Sequence, residues 1–268
     1  MTDCAREGSA PGPLLVTGGS SGIGASVARH AAARGIPVAI TYRSQRAAAE
    51  ALVSELRAKG AEIHAFAADV AKEEEIVRLF DDVDARFAGR TLAGLVNSAG
   101  IGGRHGPVSS LAAADLAALW ATNVTGTIIA CREAVKRFDH RAGGGAIVNV
   151  SSMAATIGGR PGASAYAASK AAVDAFSVGL AKEVAARGIR VNVVRPGFTR
   201  TAMTRRATED AAALAAVSAS IPINRPATAE EVARPILWLL SEEASFVTGT
   251  RLDVSGGGFV VAGFPHDP

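Results

Sequence analysis

The stretch VTGGSSGIG, Val16–Gly24, decides the fold. It closes a short apolar run, Pro13–Gly18, and opens a segment from Ile23 to about Arg34 with apolar residues at helical spacing. That arrangement reads as strand, glycine turn, helix. Glycine lets a backbone turn sharply and approach a ligand closely. The helix that follows presents unpaired N–H groups and the positive end of its dipole, which together suit an anion such as a pyrophosphate. The competing reading is a glycine-rich turn that binds nothing.

The rest of the chain favours the ligand. Strand-like runs at Ile36–Tyr42, Glu62–Asp69, Leu92–Gly100, Gly145–Ser152, Gly188–Gly197 and Thr250–Gly257 continue the series begun at Pro13. Helical segments fall between them, ending near Lys59, Phe87, Phe138 and Arg187, and a last helix is expected near Ala229–Leu240. Strands apolar on both faces, each followed by a helix, predict a parallel sheet covered on both sides. Right-handed crossovers make it an α/β, Rossmann-like, doubly wound sheet of seven strands. In that setting a glycine turn after the first strand predicts dinucleotide binding at Gly18, Gly22, Ile23 and Gly24. No linker divides the chain, so residues 13–268 are expected to form a single domain after a flexible leader, 1–12. The polar, helix-prone stretch 200–220 is expected to act as a substrate lid.

Bulk properties narrow the function. The 268 residues are 49% hydrophobic and 20% charged, enough for a large core and too apolar for overall disorder. The net charge is +3 and the pI is near 9.1. The basic residues form no stripe or block, so nucleic acid is not an expected partner. No uninterrupted apolar run approaches the roughly 18 residues of a membrane span. The two cysteines, Cys4 and Cys131, make no disulfide or metal pattern. The first residues lack a signal-peptide layout, and a cytoplasmic location is the expectation.

The end of the second strand bears on which dinucleotide. NAD-binding sheets of this type commonly place an acid there for the ribose hydroxyls. Here the sequence is ITYRSQR: Tyr42 stands at that point and Arg43 follows. An arginine pairs with a 2′-phosphate that an acid would repel, so NADP(H) is expected over NAD(H). The bland alternative is a solvated loop charge. Asp69, ending the third strand, reads equally as an adenine contact or as a helix cap.

The chemistry lies in SAYAASKAAVDAF, Ser164–Phe176. Tyr166 and Lys170 are four residues apart and so share a helical face. A cation roughly 5 Å from a phenol, at an effective dielectric of about 20, lowers its pKa by about two units. That would bring Tyr166 towards the range of a useful general acid or base. Taken alone, a packed tyrosine and a snorkelling lysine explain the pair as well.

The pair does not stand alone. TGGSSGIG, NSAG (Asn97–Gly100), VSS ending the fifth strand, YAASK (Tyr166–Lys170) and RPG (Arg195–Gly197) occur in that order. Together they resemble the classical short-chain dehydrogenase/reductases, from about Leu14 to Gly257. The resemblance implies an oxidoreductase that interconverts a carbonyl and a secondary alcohol in a small-molecule substrate. Tyr166 would be the general acid or base. Lys170 would lower its pKa and hold the nicotinamide ribose. Ser152 would hydrogen-bond the substrate oxygen. Asn123, in WATNVTGT, would hold a water in a relay to the lysine, or bend its helix as a structural residue. Asn97 would tie the central strand and also count among the cofactor contacts. The resemblance extends the cofactor contacts to Ser20, Ser21, Val70, Ala99, Gly100, Pro196, Gly197, Thr199 and Thr201. It also implies a homotetramer, or a dimer, built on the helices that carry Asn123 and Tyr166.

Three departures from the family pattern stand out. Ser152 and Tyr166 are 14 apart, one more than in many relatives, with Ser151 adjacent. NSAG replaces NNAG, and VSGG after Asp253 replaces VDGG. The substrate is not legible. Arg200, Arg205 and Arg206 suit an anion or a solvated helix face, and His105 reads as a surface or pocket-wall residue. A non-catalytic dinucleotide sensor on the same fold is the alternative function.

Overall fold

The computed structural model describes residues 12–138 and 144–258. The chain runs β1 (Leu14–Thr17), α1 (Gly22–Ala32), β2 (Val38–Tyr42), α2 (Arg46–Arg57), β3 (Ile63–Ala67), α3 (Glu73–Arg86) and β4 (Gly94–Asn97). It continues through α4 (Ala113–Trp120), α5 (Gly126–Arg137), β5 (Gly145–Val150), α6 (Ala154–Ile157), α7 (Ser164–Val184) and β6 (Ile189–Pro196). The last elements are α8 (Arg205–Glu209), α9 (Ala211–Ala219), α10 (Ala229–Leu240) and β7 (Arg251–Val254). Most of the proposed leader, including Cys4, lies outside the described residues.

The seven strands are all parallel, in the order β3-β2-β1-β4-β5-β6-β7. Period-two alternation sends neighbouring residues to opposite faces. Val16, Ile40, Val96, Val148 and Val194 pack with Val27 of α1 and Ile236 of α10. Leu15, Ala39, Leu95, Ile147 and Val191 pack with Phe80 of α3, Cys131 of α5 and Leu180 of α7. Both faces are therefore apolar, as the continuous hydrophobic runs require. The winding reverses between β1 and β4, and the crevice outside their carboxyl ends is where such sheets bind ligands.

Some expected boundaries were too long. The fourth strand stops at Asn97 because the next amides leave the ladder: Ser98 and Ala99 N–H both donate to Thr17 Oγ1 at 3.2 Å. The final helix has the expected bounds. Its start is a reciprocal cap in which Glu231 N–H donates to Thr228 Oγ1 (3.3 Å) and Thr228 N–H to Glu231 Oε2 (2.9 Å).

The long helix expected to end near Phe138 is a continuous rod, Ala113–Arg137, widened to a π-turn over Ala121–Thr125. By length and composition this rod could cross a membrane. Thr122, Asn123, Thr125 and Thr127 interrupt its apolar residues, so no uninterrupted apolar run marks it in the sequence. In the structure Ala130, Cys131 and Ala134 are buried in the core beneath the sheet.

Candidate active site

A cleft of about 1310 Å³ runs across the carboxyl ends of the strands. The glycine turn forms one end. Gly18 has φ +65°, and a Cβ there would lie 2.8 Å from Ala99 Cα, so this turn is built directly against the end of β4. The first turn of α1 has no side-chain cap and no acidic residue, and Ser21, Gly22 and Ile23 line the cleft. Uncapped amides and an open dipole end fit an anionic pyrophosphate. Thr201 closes over this turn: a Cβ on Gly22 would meet its Cγ2 at 3.3 Å.

Ser20, Arg43, Asp69, Val70, Ala99, Gly100, Pro196, Gly197 and Thr199 also line the cleft, as do Ser152, Tyr166 and Lys170. Two expected cofactor contacts do not. Gly24 sits behind the turn, where a Cβ would press on the Gly18 carbonyl oxygen at 2.5 Å. Asn97 is buried between strands and donates to Asn149 Oδ1 at 2.9 Å. Its place is that of the strand tie. Asp69 accepts from Ala71 N–H at 3.0 Å, which closes the turn before α3 while the residue still faces the cleft. Arg43 is exposed, and no carboxylate pairs with it among the described residues.

The two adjacent serines part company. Ser151 turns inward, its hydroxyl donating to the Lys170 carbonyl at 3.0 Å. Ser152 faces the cleft, and its Oγ accepts from Ala154 N–H at 3.1 Å. The long Ser152–Tyr166 spacing is taken up by α6 and the loop 158–163, so the departure from the usual gap leaves Ser152 within the cleft.

The Tyr166–Lys170 pair departs from the electrostatic expectation. Lys170 Nζ donates to the Val150 carbonyl at 2.9 Å and sits 6.0 Å from the Tyr166 ring centroid. Burial raises the phenol pKa above its ordinary value, with the Ser152 hydroxyl pulling the other way. Desolvation, not a neighbouring cation, sets the direction. Burial also pushes the Lys170 ammonium down to about 8, opposed by the charge of Asp174.

Asn123 lies in the π-turn, out of the cleft lining. Its Nδ2 donates to the Ile101 carbonyl (2.9 Å) and to Ser169 Oγ (3.1 Å), and its Oδ1 accepts from Ile101 N–H (2.9 Å). The amide thus fixes the loop after β4. A Cβ on Gly100 would lie 3.3 Å from Asn123 Oδ1 and 3.4 Å from Lys170 Nζ, so both groups border one small space. The π-turn was not anticipated. Such bulges recur at functional sites, and the only sequence signal was a polar residue in an apolar helix.

The other end of the cleft is bounded by two loops and the start of α8, which bring the basic side chains His105, Arg160 and Arg205. Arg160, unmarked in the sequence, lies with its guanidinium carbon 5.2 Å from the Phe198 ring centroid. Asp69, on the β3 side, is the only carboxylate lining the cleft among the described residues. Arg200 is exposed and outside it, and the side chain of Arg206 is outside the described residues.

Residues 18–258 match the family model described as enoyl-(acyl carrier protein) reductase. The chain is 44% identical to the uncharacterized oxidoreductase YgfF of Escherichia coli (strain K12), over 91% of this chain and 98% of that one. It is 38% identical to 3beta-hydroxysteroid dehydrogenase 1 of Eggerthella lenta, over 94% and 95%. A crystal structure of a short chain dehydrogenase from Burkholderia cenocepacia J2315, in complex with NADP, superposes with a TM-score of 0.85 at 36% identity. That match covers 92% of this chain and 97% of the other.

Proposed function

The chain belongs to the short-chain dehydrogenase/reductase family, NAD(P)-dependent enzymes acting on CH–OH and C=O groups, and on that premise we propose that it reduces a small-molecule carbonyl using NADPH. The observation that carries the reading is the convergence of Ser152, Tyr166 and Lys170 on one cleft whose β2 end holds Arg43 and no acid. Membership of an enzyme family sets the non-catalytic sensor aside.

NADPH held along the cleft by the glycine turn, Arg43 and Lys170 would supply the hydride. The protein handles the proton and the charge. Tyr166, its phenol held protonated by burial, donates to the carbonyl oxygen. Ser152 donates a hydrogen bond to that oxygen as it gains charge. Lys170 supplies a cation beside the donor, and Asn123 fixes the loop that borders it. In this reading a homotetramer or dimer would assemble through the helices that carry Asn123 and Tyr166, and Leu116 and Trp120 stand exposed on the first of these, the rod Ala113–Arg137.

The direct test is NADPH oxidation against ketones, ketoacyl thioesters, quinones and keto-sugars, with NADH in parallel and Tyr166→Phe as the blank. Tyr166-dependent turnover on one class supports the reading. Turnover that survives in the blank overturns it.

Two variants refine it. Arg43→Ala should weaken NADPH binding by about tenfold or more and NADH binding by less than about twofold, since a charge-assisted pair is lost only with the 2′-phosphate. Fluorescence titrations showing equal losses would remove Arg43 from that role. The basic mouth predicts that 4-acetylbenzoate is favoured over its methyl ester by about fivefold, the size of one exposed charge pair. Arg160→Met should erase that preference, because methionine keeps the packing on Phe198 and drops the charge. A preference that persists in Arg160→Met assigns selection elsewhere.

A further inference from the structure

The face of α7 that carries Tyr166 and Lys170 continues to Asp174, four residues further on. Side chains at that spacing are neighbours on a helix. Asp174 and Lys170 are both buried. A buried carboxylate needs partners, and Asp174 Oδ2 accepts from Arg195 Nε of β6 at 2.7 Å. Arg195 also reaches Asp253 of β7 at 3.3 Å, so its charge is shared between two acids. Asp174 Oδ1 is different: it is buried and has no hydrogen-bond partner. Ser26 Oγ is the only other side-chain atom so placed among the described residues. An arginine fork commonly engages both carboxylate oxygens. Here one oxygen stays free on the helix that carries the lysine.

We propose that Asp174 is a positioning residue, a buried counter-charge one helical turn from Lys170 that keeps its ammonium charged. The proposal rests on the reading of Lys170 as part of the proton-transfer machinery. Lys170 needs such support. Its one hydrogen bond among the described residues goes to a neutral carbonyl, that of Val150. Burial works against its charge, and Asp174 is the group that opposes this. Among the described residues, the other acids of the elements packed on α7 have cations of their own: Glu133 of α5 pairs with Arg132, Lys136 and Arg137. The π-turn contributes the Asn123 amide, β6 contributes the cation Arg195, and α6 has no titratable side chain. On α4, Asp115 is near Arg104, at 3.9 Å. Asp253 faces Arg195 from beyond it. Tyr166, on the cleft side, is held neutral by burial.

The chain has five lysines, so ε-13C-lysine labelling of the full-length protein gives a simple spectrum. The Lys170 signal is assigned by its loss in Lys170→Arg and titrated against pH. Asp174→Asn should lower the Lys170 midpoint by about one pH unit, and Asp174→Glu should return it most of the way. Arg195→Gln removes the opposing cation and keeps the carboxylate, so it should move the midpoint up. A midpoint unmoved by Asp174→Asn, or lowered by Arg195→Gln, overturns the proposal. Should Asp174→Asn fail to fold, the double variant Asp174→Asn/Arg195→Gln, which leaves no unpaired buried charge, decides: its midpoint should lie below that of Arg195→Gln, and an equal midpoint overturns the proposal. The underlying reading is tested separately: Lys170→Ala with undiminished carbonyl turnover would sink it whatever the titration shows.

Discussion

Tyr166→Phe will lower NADPH-driven turnover by about a thousandfold while leaving the NADPH dissociation constant within about threefold. The substitution removes one oxygen and keeps the ring. The ring fills space beside Lys170, whose Nζ lies 6.0 Å from its centroid and hydrogen-bonds to Val150, not to the phenol. The cradle at the glycine turn is formed by other residues, so the binding half of the cleft is preserved. What disappears is the proton donor. A positioned acid is worth about two to four orders of magnitude in rate, and Lys170, the other protonated group in this part of the cleft, is turned to the Val150 carbonyl. Because burial raises the Tyr166 pKa, the group is a stronger candidate for acid than for base near neutrality. The sign follows. Reduction should hold up to the pH at which the phenol or Lys170 loses its proton, and the lysine, near 8, goes first. Stopped-flow and steady-state assays across pH check both parts. A Tyr166→Phe variant with a tenth or more of wild-type turnover would remove Tyr166 as donor.

The pH expectation also marks where the sequence stopped being legible. The order of strands, helices and glycine turn could be read because each leaves a local signal: apolar runs on strands, helical spacing, and glycines at the first turn. The tyrosine and lysine could be placed on one face because the helix fixes their spacing. Their electrostatics could not. That Lys170 would turn to the Val150 carbonyl depends on where β5 ends relative to α7, a tertiary fact. The same holds for Asn97. It is the register partner of Asn149 in the β4–β5 pairing, and the two amides join Cys131 and Ser177 in a buried network. These residues come from four separate segments, and nothing local announces that they meet. The outward turn of Ser152 beside an inward Ser151 is set by the pleat at the end of β5, and Arg160 reaches the mouth only through a loop whose path the sequence does not dictate.

Gly18→Val should weaken NADPH binding by about a hundredfold and destabilise the fold by about 3–4 kcal/mol, the combined size of backbone strain and overpacking. Two costs act at this position. With φ at +65°, a β-branched residue is held in a region it rarely adopts. Independently, its Cβ would stand 2.8 Å from Ala99 Cα and 2.9 Å from Ala99 N, backbone atoms with no rotamer to yield. Relief must come from parting the end of β1 from the end of β4. That displaces Ser98 and Ala99, whose amides are tied to Thr17, and opens the crevice in which the turn cradles its ligand. Gly35→Ala separates the two costs. Gly35 has a similar φ of +72°, with nothing within 4 Å of an added Cβ, and it lies outside the cleft. It should lose about 1 kcal/mol to strain alone and bind NADPH normally. Thermal melts with cofactor titrations on both variants test this division. Equal cofactor losses would mean that the glycine turn acts through global stability. A loss confined to Gly18→Val means that it is the close approach to Ala99 that keeps the pyrophosphate cradle in shape.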